Sequence, residues 1–494
     1  MANEKPIFIM AQHEWNKIEA GVQNAVVQVC TQSREFNWRE PYAPGAQLET
    51  RASGFFIDDE SHLLTVAHGV ENAQLVWIQM PCFGAKLLFA DVLGICPDRD
   101  VALLKLRKES IAFIRQHLGA IPHLMLGNSD EVNHTDKILV LGYPLGQMNI
   151  KSSTGVISGR ESGMGKTFFQ ITAPVNPGNS GGPLFNTQGA VVGMTIANIA
   201  AAQNVGYAVP INEISMVMDL LHKQQIVHTG TLGLRFNACD DAQALFLGNP
   251  TPAGLYINTV FENSVSHKAG VQSGDMLYMI NGFRIDGHGS TIVPWTADRV
   301  AVHDLVARLT EGQRVPLTLF RNGKKMEIEI VFTLKPAHAV HWRYPSYESI
   351  DYETIGGMVI MQLADNHVRE FFSESPELCE YLKAENKVTP KLIISHVIPG
   401  SYAYQNGSIR RGQVISHING QPVQELVQLR KSAVQSLKDG FFTIKTTDNM
   451  FVVLSFDYLL SDEQRLARDF NYRVSPFIQS LLEAIEQYQS PKKK

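Results

Sequence analysis

The sequence predicts a mainly β protein whose N-terminal region forms barrels or a sandwich and whose later part repeats a smaller domain. From about residue 15 to residue 211, short apolar runs alternate with glycine and proline, a spacing typical of many short strands. Two later segments, around Asn281 and Asn419, resemble each other. A chain of 494 residues also exceeds one compact core, so we expect about three domains.

The first informative element is a β-hairpin that ends at a histidine. Apolar runs at 54–57 and 63–67 flank a polar turn at 58–61, and His68 follows directly. An imidazole has an unperturbed pKa near 6.5, so it can accept a proton near neutral pH. One histidine among the 16 in the chain is more often a surface or packed residue, and its context decides between the two interpretations.

An aspartate stands at the start of the next apolar strand. The segment 97–100, Pro-Asp-Arg-Asp, leads into the apolar run 101–106. A carboxylate at this place can fix the tautomer of His68 and stabilise its imidazolium form without taking the proton. We therefore predict that Asp100 is the partner of His68.

The candidate nucleophile, Ser180, lies in the glycine-rich run 176–185, Asn-Pro-Gly-Asn-Ser-Gly-Gly-Pro-Leu-Phe. A serine hydroxyl needs a base for its proton and donors for the developing oxyanion. The flanking glycines let the N–H groups of Gly178 and Ser180 converge on one point. The alternative is a plain turn between strands. The order His68, Asp100, Ser180, with gaps of 32 and 80 residues, suits a double β-barrel and favours a catalytic triad.

The remaining chain shows a helix and a domain-sized repeat. Apolar residues at helical intervals predict one helix over 211–224, followed by a linker at 225–230. Residues 269–282 are echoed by 409–420, and each copy ends in an Asn-Gly tight turn. The alternative is a coincidence between two hairpins.

Composition excludes some classes of partner and cofactor. The formal net charge of −5 offers no basic surface of the kind that nucleic acid requires. The five cysteines are odd in number and lack paired spacings, so we expect reduced thiols, with neither a disulfide framework nor a zinc site. No motif calls for a cofactor or a metal.

Residues 1–20 contain only a five-residue apolar run, which is too short for a secretory leader, and no apolar run approaches a membrane span. If Met1 is the native start, we expect a cytoplasmic protein without a membrane span. A periplasmic or organellar location, or secretion as an effector, stays open.

Together these motifs resemble the HtrA/Deg family of serine proteases over nearly all of the chain from about residue 20 to residue 477. The marks are residues 65–68, 100–104, 142–146, 176–185 and 206–210. The resemblance implies a trypsin-like double β-barrel protease domain followed by two α+β PDZ domains. The boundaries it implies are 1–15 for an N-terminal segment, 16–225 for the protease, 229–335 and 355–475 for the PDZ domains, 336–354 for a linker and 476–494 for a helical tail. Segments 355–360, 392–397 and 452–458 are most similar to the plant-type branch.

The resemblance also implies residue roles in the protease domain. Ser180 is the nucleophile, His68 the general base and Asp100 its orienting partner, with the N–H groups of Gly178 and Ser180 as the oxyanion hole. Val175, with Ile196 opposite, lines the S1 pocket. Because both are aliphatic, we expect a small or medium apolar residue at P1.

In the first PDZ domain, the carboxylate-binding loop matches the four residues Thr231, Leu232, Gly233 and Leu234. Its backbone N–H groups can hold a chain terminus, so we expect peptides with apolar C-termini as ligands. The second copy has glycine in shifted positions within 355–358. We expect it to serve assembly or regulation, or else to be a structural cap.

Family members assemble as trimers or multiples of trimers, so we expect a homo-oligomer. The aromatic residues Phe8, Trp15, Phe36 and Trp38 are candidates for that interface or, equally, for packing on the barrel of the same subunit.

The function implied is an ATP-independent serine endopeptidase that degrades unfolded or damaged proteins. The alternatives are a chaperone or PDZ scaffold, and a dedicated processing protease such as a secreted effector.

Overall fold

The computed structural model describes residues 7–163, 166–196, 205–250, 253–334 and 338–489. The chain divides into two compact units. The first comprises Met1–Ser33 and Leu48–Ala337, and the second comprises Arg34–Gln47 and His338–Lys494.

Six antiparallel strands in the first part of the chain close into a barrel in the order β1-β2-β3-β6-β5-β4. Closure leaves no free strand edge, and the apolar runs supply its buried side chains. The bounds are β1 Val26–Phe36, β2 Pro44–Phe56, β3 His62–Thr65, β4 Ala73–Gln79, β5 Leu88–Cys96 and β6 Val101–Leu106.

A second closed barrel follows in the order β10-β11-β12-β9-β8-β7. Its core is aliphatic and aromatic, with Val140, Phe169, Ile171 and Leu184 nearly or fully buried. The bounds are β7 Lys137–Gly142, β8 Lys151–Gly163, β9 Lys166–Ile171, β10 Pro183–Phe185, β11 Val191–Ile196 and β12 Gly206–Pro210.

Three helices accompany the barrels: α1 Ile7–Val22, α2 Lys108–Leu118 and α3 Ile211–Leu221. Helix α3 lies within the range that apolar spacing predicts. Its buried apolar residues Ile211, Ile214, Val217 and Leu221 share one face, as a period of 3.6 requires.

The first unit ends in an open sheet in the order β13-β14-β15-β19-β20, with β16 paired to β15 and a separate pair β17-β18. Asn281 and Gly282 join β15 to β16 with φ values of +50° and +83°, the two positive angles of a type I′ turn. The strands are β13 Leu234–Ala238, β14 Leu255–Val260, β15 Met276–Ile280, β16 Phe283–Arg284, β17 Ser290–Thr291, β18 Val300–Ala301, β19 Arg314–Arg321 and β20 Lys324–Val331. The helices are α4 Asp241–Phe246, α5 Val265–Lys268 and α6 Val302–Ala307.

The second unit holds a sheet in the order β21-β22-β23-β24-β26-β27, with β25 paired to β24. Its Asn419-Gly420 turn has φ values of +49° and +74°, matching the turn in the first unit. The strands are β21 Tyr352–Ile355, β22 Met358–Gln362, β23 Leu392–Val397, β24 Val414–Ile418, β25 Gln421–Pro422, β26 Phe441–Thr446 and β27 Phe451–Ser455. The helices are α7 Asp365–Glu370, α8 Ala384–Lys387, α9 Tyr402–Asn406, α10 Leu426–Ala433, α11 Ser436–Asp439, α12 Phe456–Ser461, α13 Glu463–Asp469 and α14 Pro476–Gln489.

The predicted fold class is confirmed: the protein is mainly β, with two closed six-stranded barrels. The two candidate interface aromatics at 36 and 38 pack inside the second unit, a placement that neither alternative anticipated. Phe36 and Trp38 contact a cluster that includes Met361 and Phe371, and the Trp38 ring lies 4.9 Å from the His367 ring. The side chain of Phe8 lies outside the described residues.

Candidate active site

Three short segments between strands hold the predicted triad. His68 lies in a 3₁₀ turn, Ala67–Gly69, directly after β3. Asp100 is the last residue before β6, and Ser180 lies in the loop before β10. The first two segments thus belong to the first barrel and the third to the second barrel.

The His68 ring and the Asp100 carboxylate are hydrogen-bonded. His68 Nδ1 lies 2.8 Å from Oδ2 and 3.0 Å from Oδ1 of Asp100, and the His68 backbone N–H donates to Oδ1 at 3.0 Å. Asp100 has a φ of +54°, so the turn holds it in the left-handed region. Because Nδ1 faces the carboxylate, Nε2 is the ring nitrogen left to accept a proton.

Opposing effects set the pKa of His68. Partial burial, the largest single effect, lowers this pKa, as does the charge of Lys166. The hydrogen bond and negative charge of Asp100, together with the charge of Glu71, raise it, and the net shift is upward from 6.5. The imidazole is about half exposed, so it stays accessible to a substrate.

The loop before Ser180 is a tight turn that leaves two backbone N–H groups without an acceptor in the described part of the chain. Asn179 N–H donates to Asn176 O at 3.0 Å, closing a turn whose third residue, Gly178, has a φ of +96°, as a type II turn requires. A Cβ on Gly178 would lie 2.4 Å from Tyr143 O. Among the described residues, neither the Gly178 nor the Ser180 backbone N–H donates to a backbone or side-chain acceptor. Two donors are therefore available for an oxyanion.

The two barrels meet at this loop. Ser53 N–H on β2 donates to Ser180 O at 2.8 Å, and Thr65 Oγ1 on β3 donates to Ser53 O at 2.7 Å. Ser180 is buried. Within the part of the chain that the structure describes, which includes both residues, the Ser180 hydroxyl makes no hydrogen bond to His68. Such bonds are often absent without substrate and tighten only in the complex.

Sequence reasoning missed two buried hydroxyls that contact this loop. Ser53 Oγ donates to Gly178 O at 2.7 Å, and Thr195 Oγ1 donates to Asn179 O at 2.6 Å. Both residues have no exposed surface. The available signal was a hydroxyl residue inside an otherwise apolar run, Ser53 within 52–56 at the end of β2 and Thr195 within β11, since a buried polar group needs a partner.

The predicted S1 residues are in different environments. Val175 is buried in the core of the second barrel, and Ile196 is half-buried at the end of β11. Residues 197–204, which follow Ile196, lie outside the described residues. The assignment of the S1 pocket stays a prediction.

The predicted carboxylate-binding loop lies directly before β13. Gly233 has a φ of +69°, its N–H donates to Thr231 Oγ1 at 2.9 Å, and its carbonyl accepts from Phe261 N–H at 3.0 Å. Leu232 is buried in the core of the sheet, and Leu234 begins β13. In the described part of this sheet, β13 pairs on one side alone, so the loop leads into a free strand edge.

Comparisons with known proteins match two parts of the chain. Residues 52–194 match a trypsin-like peptidase domain, a range that contains His68, Asp100 and Ser180, and residues 381–439 match a PDZ domain. A probable periplasmic serine endoprotease, DegP-like, of Chlamydia trachomatis is 25% identical over 429 residues, covering 85% of this chain and 77% of its own length. A DegP-like endoprotease of Pseudomonas putida strain F1 is 27% identical and covers 83% of both chains. The chain is an HtrA/DegP-like serine endoprotease.

The fold of the protease also matches solved structures. The HtrA-type protease AlgW, solved with a decapeptide, superposes with a TM-score of 0.52 at 23% identity, over 65% of this chain and 99% of that one. At this identity the likeness shows the fold alone. The plant-type branch within the family stays a prediction.

The expected cytoplasmic location is wrong. The relatives from Chlamydia and Pseudomonas that match most of the chain are named periplasmic endoproteases. That expectation depended on twenty terminal residues, which carry less weight than similarity along the whole protease. In the described part of the protease, no helix is long and apolar enough to cross a bilayer.

Proposed function

We propose that Ser180 is the nucleophile of this endoprotease, His68 its general base and Asp100 the group that orients His68. His68 Nε2 takes the Ser180 hydroxyl proton as Oγ attacks the scissile carbonyl, and it later gives that proton to the leaving amine. Water then repeats the sequence on the acyl-enzyme. The observation that carries the proposal is the His68–Asp100 hydrogen bond on the first barrel. The Ser180 loop, which has two N–H groups without an acceptor among the residues that the structure describes, is hydrogen-bonded to the same barrel through Ser53.

The oxyanion of the tetrahedral intermediate is held by the N–H groups of Gly178 and Ser180. Each preorganised donor of this kind contributes about 10²- to 10³-fold to the rate. Since His68 must be neutral to act as a base, cleavage falls as the pH drops through its pKa, which lies above 6.5.

The substrates are unfolded or damaged polypeptides, cleaved without ATP. The aliphatic residues Val175 and Ile196 favour a small or medium apolar residue at P1, such as valine or alanine. This preference follows from the family position of the two residues and from the buried, apolar setting of Val175.

Peptide binding belongs to the sheet of the first unit. The loop of Thr231, Leu232, Gly233 and Leu234 holds an apolar C-terminus while the free edge of β13 pairs with the peptide. The sheet of the second unit serves assembly or regulation, because its corresponding edge is already paired. We also propose that the protein forms homo-oligomers built from trimers, and light scattering measures the mass of the oligomer.

The test is cleavage of an unfolded, reduced model substrate by the full chain and by Ser180→Ala, with products identified by mass spectrometry. We expect many cleavage sites after small aliphatic residues, and none with Ser180→Ala. Ser110→Ala is the matched control, because Ser110 is also buried and its hydroxyl bonds Phe89 O, in the first barrel.

Other outcomes of this experiment identify other functions. A single cleavage site would indicate a dedicated processing protease. Absence of cleavage, with aggregation suppressed equally by both proteins, would indicate a chaperone. Basic residues at P1 would contradict the S1 assignment.

A further inference from the structure

Two buried hydroxyls contact successive carbonyls of the loop that carries Ser180. Thr195 Oγ1, on β11 of the second barrel, lies 2.6 Å from Asn179 O and 3.1 Å from Gly182 O. Ser53 Oγ, on β2 of the first barrel, lies 2.7 Å from Gly178 O. A different strand on each barrel therefore holds one peptide unit of the loop.

The Thr195 contact determines the direction of an oxyanion donor. In a planar trans peptide the C=O and N–H bonds point in opposite directions. The Asn179 carbonyl and the Ser180 N–H belong to one such unit. Thr195 holds the carbonyl on the inner side of the loop. The Ser180 N–H therefore points to the opposite side, away from the barrel core, and an oxyanion would lie on that side.

The Ser53 contact supports the neighbouring unit. Gly178 O and Asn179 N–H share a peptide plane, and that N–H closes the turn by donating to Asn176 O at 3.0 Å. Ser53 Oγ also accepts from Tyr143 N–H at 2.9 Å, so its hydroxyl hydrogen is directed at Gly178 O. The turn that gives Gly178 its positive φ is thus held from the first barrel.

The Asn179 carbonyl does not need the Thr195 hydroxyl as a hydrogen-bond donor. Asn179 O also accepts from Gly182 N–H at 2.9 Å, so this carbonyl has a partner without Thr195. The hydrogen bond from Thr195 therefore restricts the orientation of a carbonyl that already has a donor.

We propose that the Thr195 and Ser53 hydroxyls are positioning groups that preorganise the oxyanion hole of this protease. The proposal rests on the proposed role of Ser180 as the nucleophile. Neither residue touches substrate; each acts through the peptide unit that it holds. The contribution is made to the transition state, because the oxyanion forms only there.

The experiment compares full-length Thr195→Val, Thr195→Ser and Ser53→Ala with the wild type. Valine keeps the volume of threonine and removes the hydroxyl, whereas serine keeps the hydroxyl. The measurements are kcat and KM on a chromogenic peptide with valine at P1, the dissociation constant of the matching peptide boronate, and the thermal midpoint. Ser110→Ala is again the control, because it removes a buried hydroxyl on helix α2 that donates to Phe89 O on β5.

Thr195→Val is expected to lower kcat about tenfold, with KM within about twofold, because an indirect effect is smaller than the 10²- to 10³-fold loss of a donor. The boronate, whose tetrahedral adduct places an oxygen in the hole, is expected to bind about tenfold more weakly. Ser53→Ala is expected to act in the same direction, and Thr195→Ser to retain activity.

Wild-type kcat and boronate affinity in Thr195→Val would overturn the proposal. So would an equal loss in Ser110→Ala, or a loss explained by a lower fraction of folded protein at the assay temperature. Failure of the nucleophile assignment is distinguishable, since Ser180→Ala would then still cleave the peptide.

Discussion

The two open sheets of this protease share an order of elements and differ at one strand. In the first unit, β13 is the edge strand, and the predicted carboxylate-binding loop leads into it. In the second unit, β22 is the corresponding strand, and β21 pairs with it in antiparallel register from Tyr352↔Met361 to Ile355↔Met358. The edge that is free in one sheet is covered in the other.

Charged contacts hold the covering strand. Arg430 on α10 donates to both Asp351 oxygens at 2.8 Å and to Glu353 Oε2 at 2.8 Å. Glu353 is fully buried, so its charge needs this partner. At the end of β21, Gly356 N–H donates to the buried carboxyl of Glu463 at 2.8 Å.

The comparison shows how one copy of a repeated fold can cover an edge strand without losing any element. An edge strand binds a peptide through its unpaired N–H and C=O groups, and β21 satisfies those groups within the chain.

Asp100→Asn is expected to lower the rate of cleavage and to leave peptide binding unchanged. The neutral amide holds His68 in the wrong tautomer, so kcat is expected to fall by about 10⁴-fold, while the sheet that contains β13 is unchanged. Peptide cleavage measures the first, and fluorescence anisotropy of a labelled peptide with an apolar C-terminus measures the second. A parallel loss of binding would contradict the separation.

Matched glycine substitutions distinguish the two loops. Gly233 and Gly356 both have positive φ, +69° and +57°, and a Cβ on either would lie within 2.1 Å of a neighbouring side-chain carbon. Both alanine variants are expected to be less stable. Gly233→Ala is expected to bind the labelled peptide at least about tenfold more weakly, because its loop is the proposed binding site. Unchanged peptide affinity is expected for Gly356→Ala, and a loss there would place binding in the second unit.

Arg430→Met is expected to loosen β21, because it leaves the buried Glu353 without its cation. Breaking a buried pair costs about 3–5 kcal/mol; since Arg430 is partly exposed, we expect the free energy of unfolding to fall by about 2 kcal/mol. Amide exchange in β22 is expected to rise. The control is Arg314→Met, which breaks the exposed pair with Glu329 and is expected to cost under about 1 kcal/mol. Equal effects would show that β21 does not depend on Arg430.

The stability of the second unit is expected to depend on pH through Glu463. Burial raises the pKa of Glu463 from 4.5 to about 7, with Glu353 adding to the rise and the donors Tyr472 and Gly356 opposing it. Between these values the folded state binds more protons than the unfolded state. Stability therefore falls as pH rises from about 4.5 to about 7, by at most about 1.4 kcal/mol per pH unit.

Urea unfolding of the full chain across this pH range, followed by amide exchange in β22, measures that slope. Glu463→Gln is expected to remove this pH dependence. The variant also loses one of the two hydrogen bonds that the carboxyl accepts, because an amide NH2 group replaces one of the two oxygens. A slope that persists in the variant would assign the pH dependence to another group.

Sequence reasoning predicted a triad because each candidate lies in a short motif with its own chemistry. His68 ends a hairpin, Asp100 precedes a strand and Ser180 lies among glycines, so the prediction needed only local pattern and residue type. The paired Asn-Gly turns likewise predicted the repeat of the two sheets. Glycine in shifted positions at 355–358 indicated that the second copy differs, without showing how.

Contacts between distant residues could not be predicted in this way. Ser53 contacts a carbonyl 125 residues away, and Arg430 contacts Glu353 across 77 residues. A hydroxyl or a guanidinium has the same appearance in a sequence whether it is solvated or buried against a partner. The packing of Phe36 and Trp38 in the second unit is a further case, because exposure depends on which elements meet.

Apolar periodicity and short motifs act over a few residues, so they were enough to predict the fold class, the protease family and the three catalytic candidates. Which hydroxyls contact the Ser180 loop, and which sheet edge is free, could be read only from the folded chain. Those properties depend on long-range hydrogen bonds and burial, which appear only when strands distant in the chain are brought together.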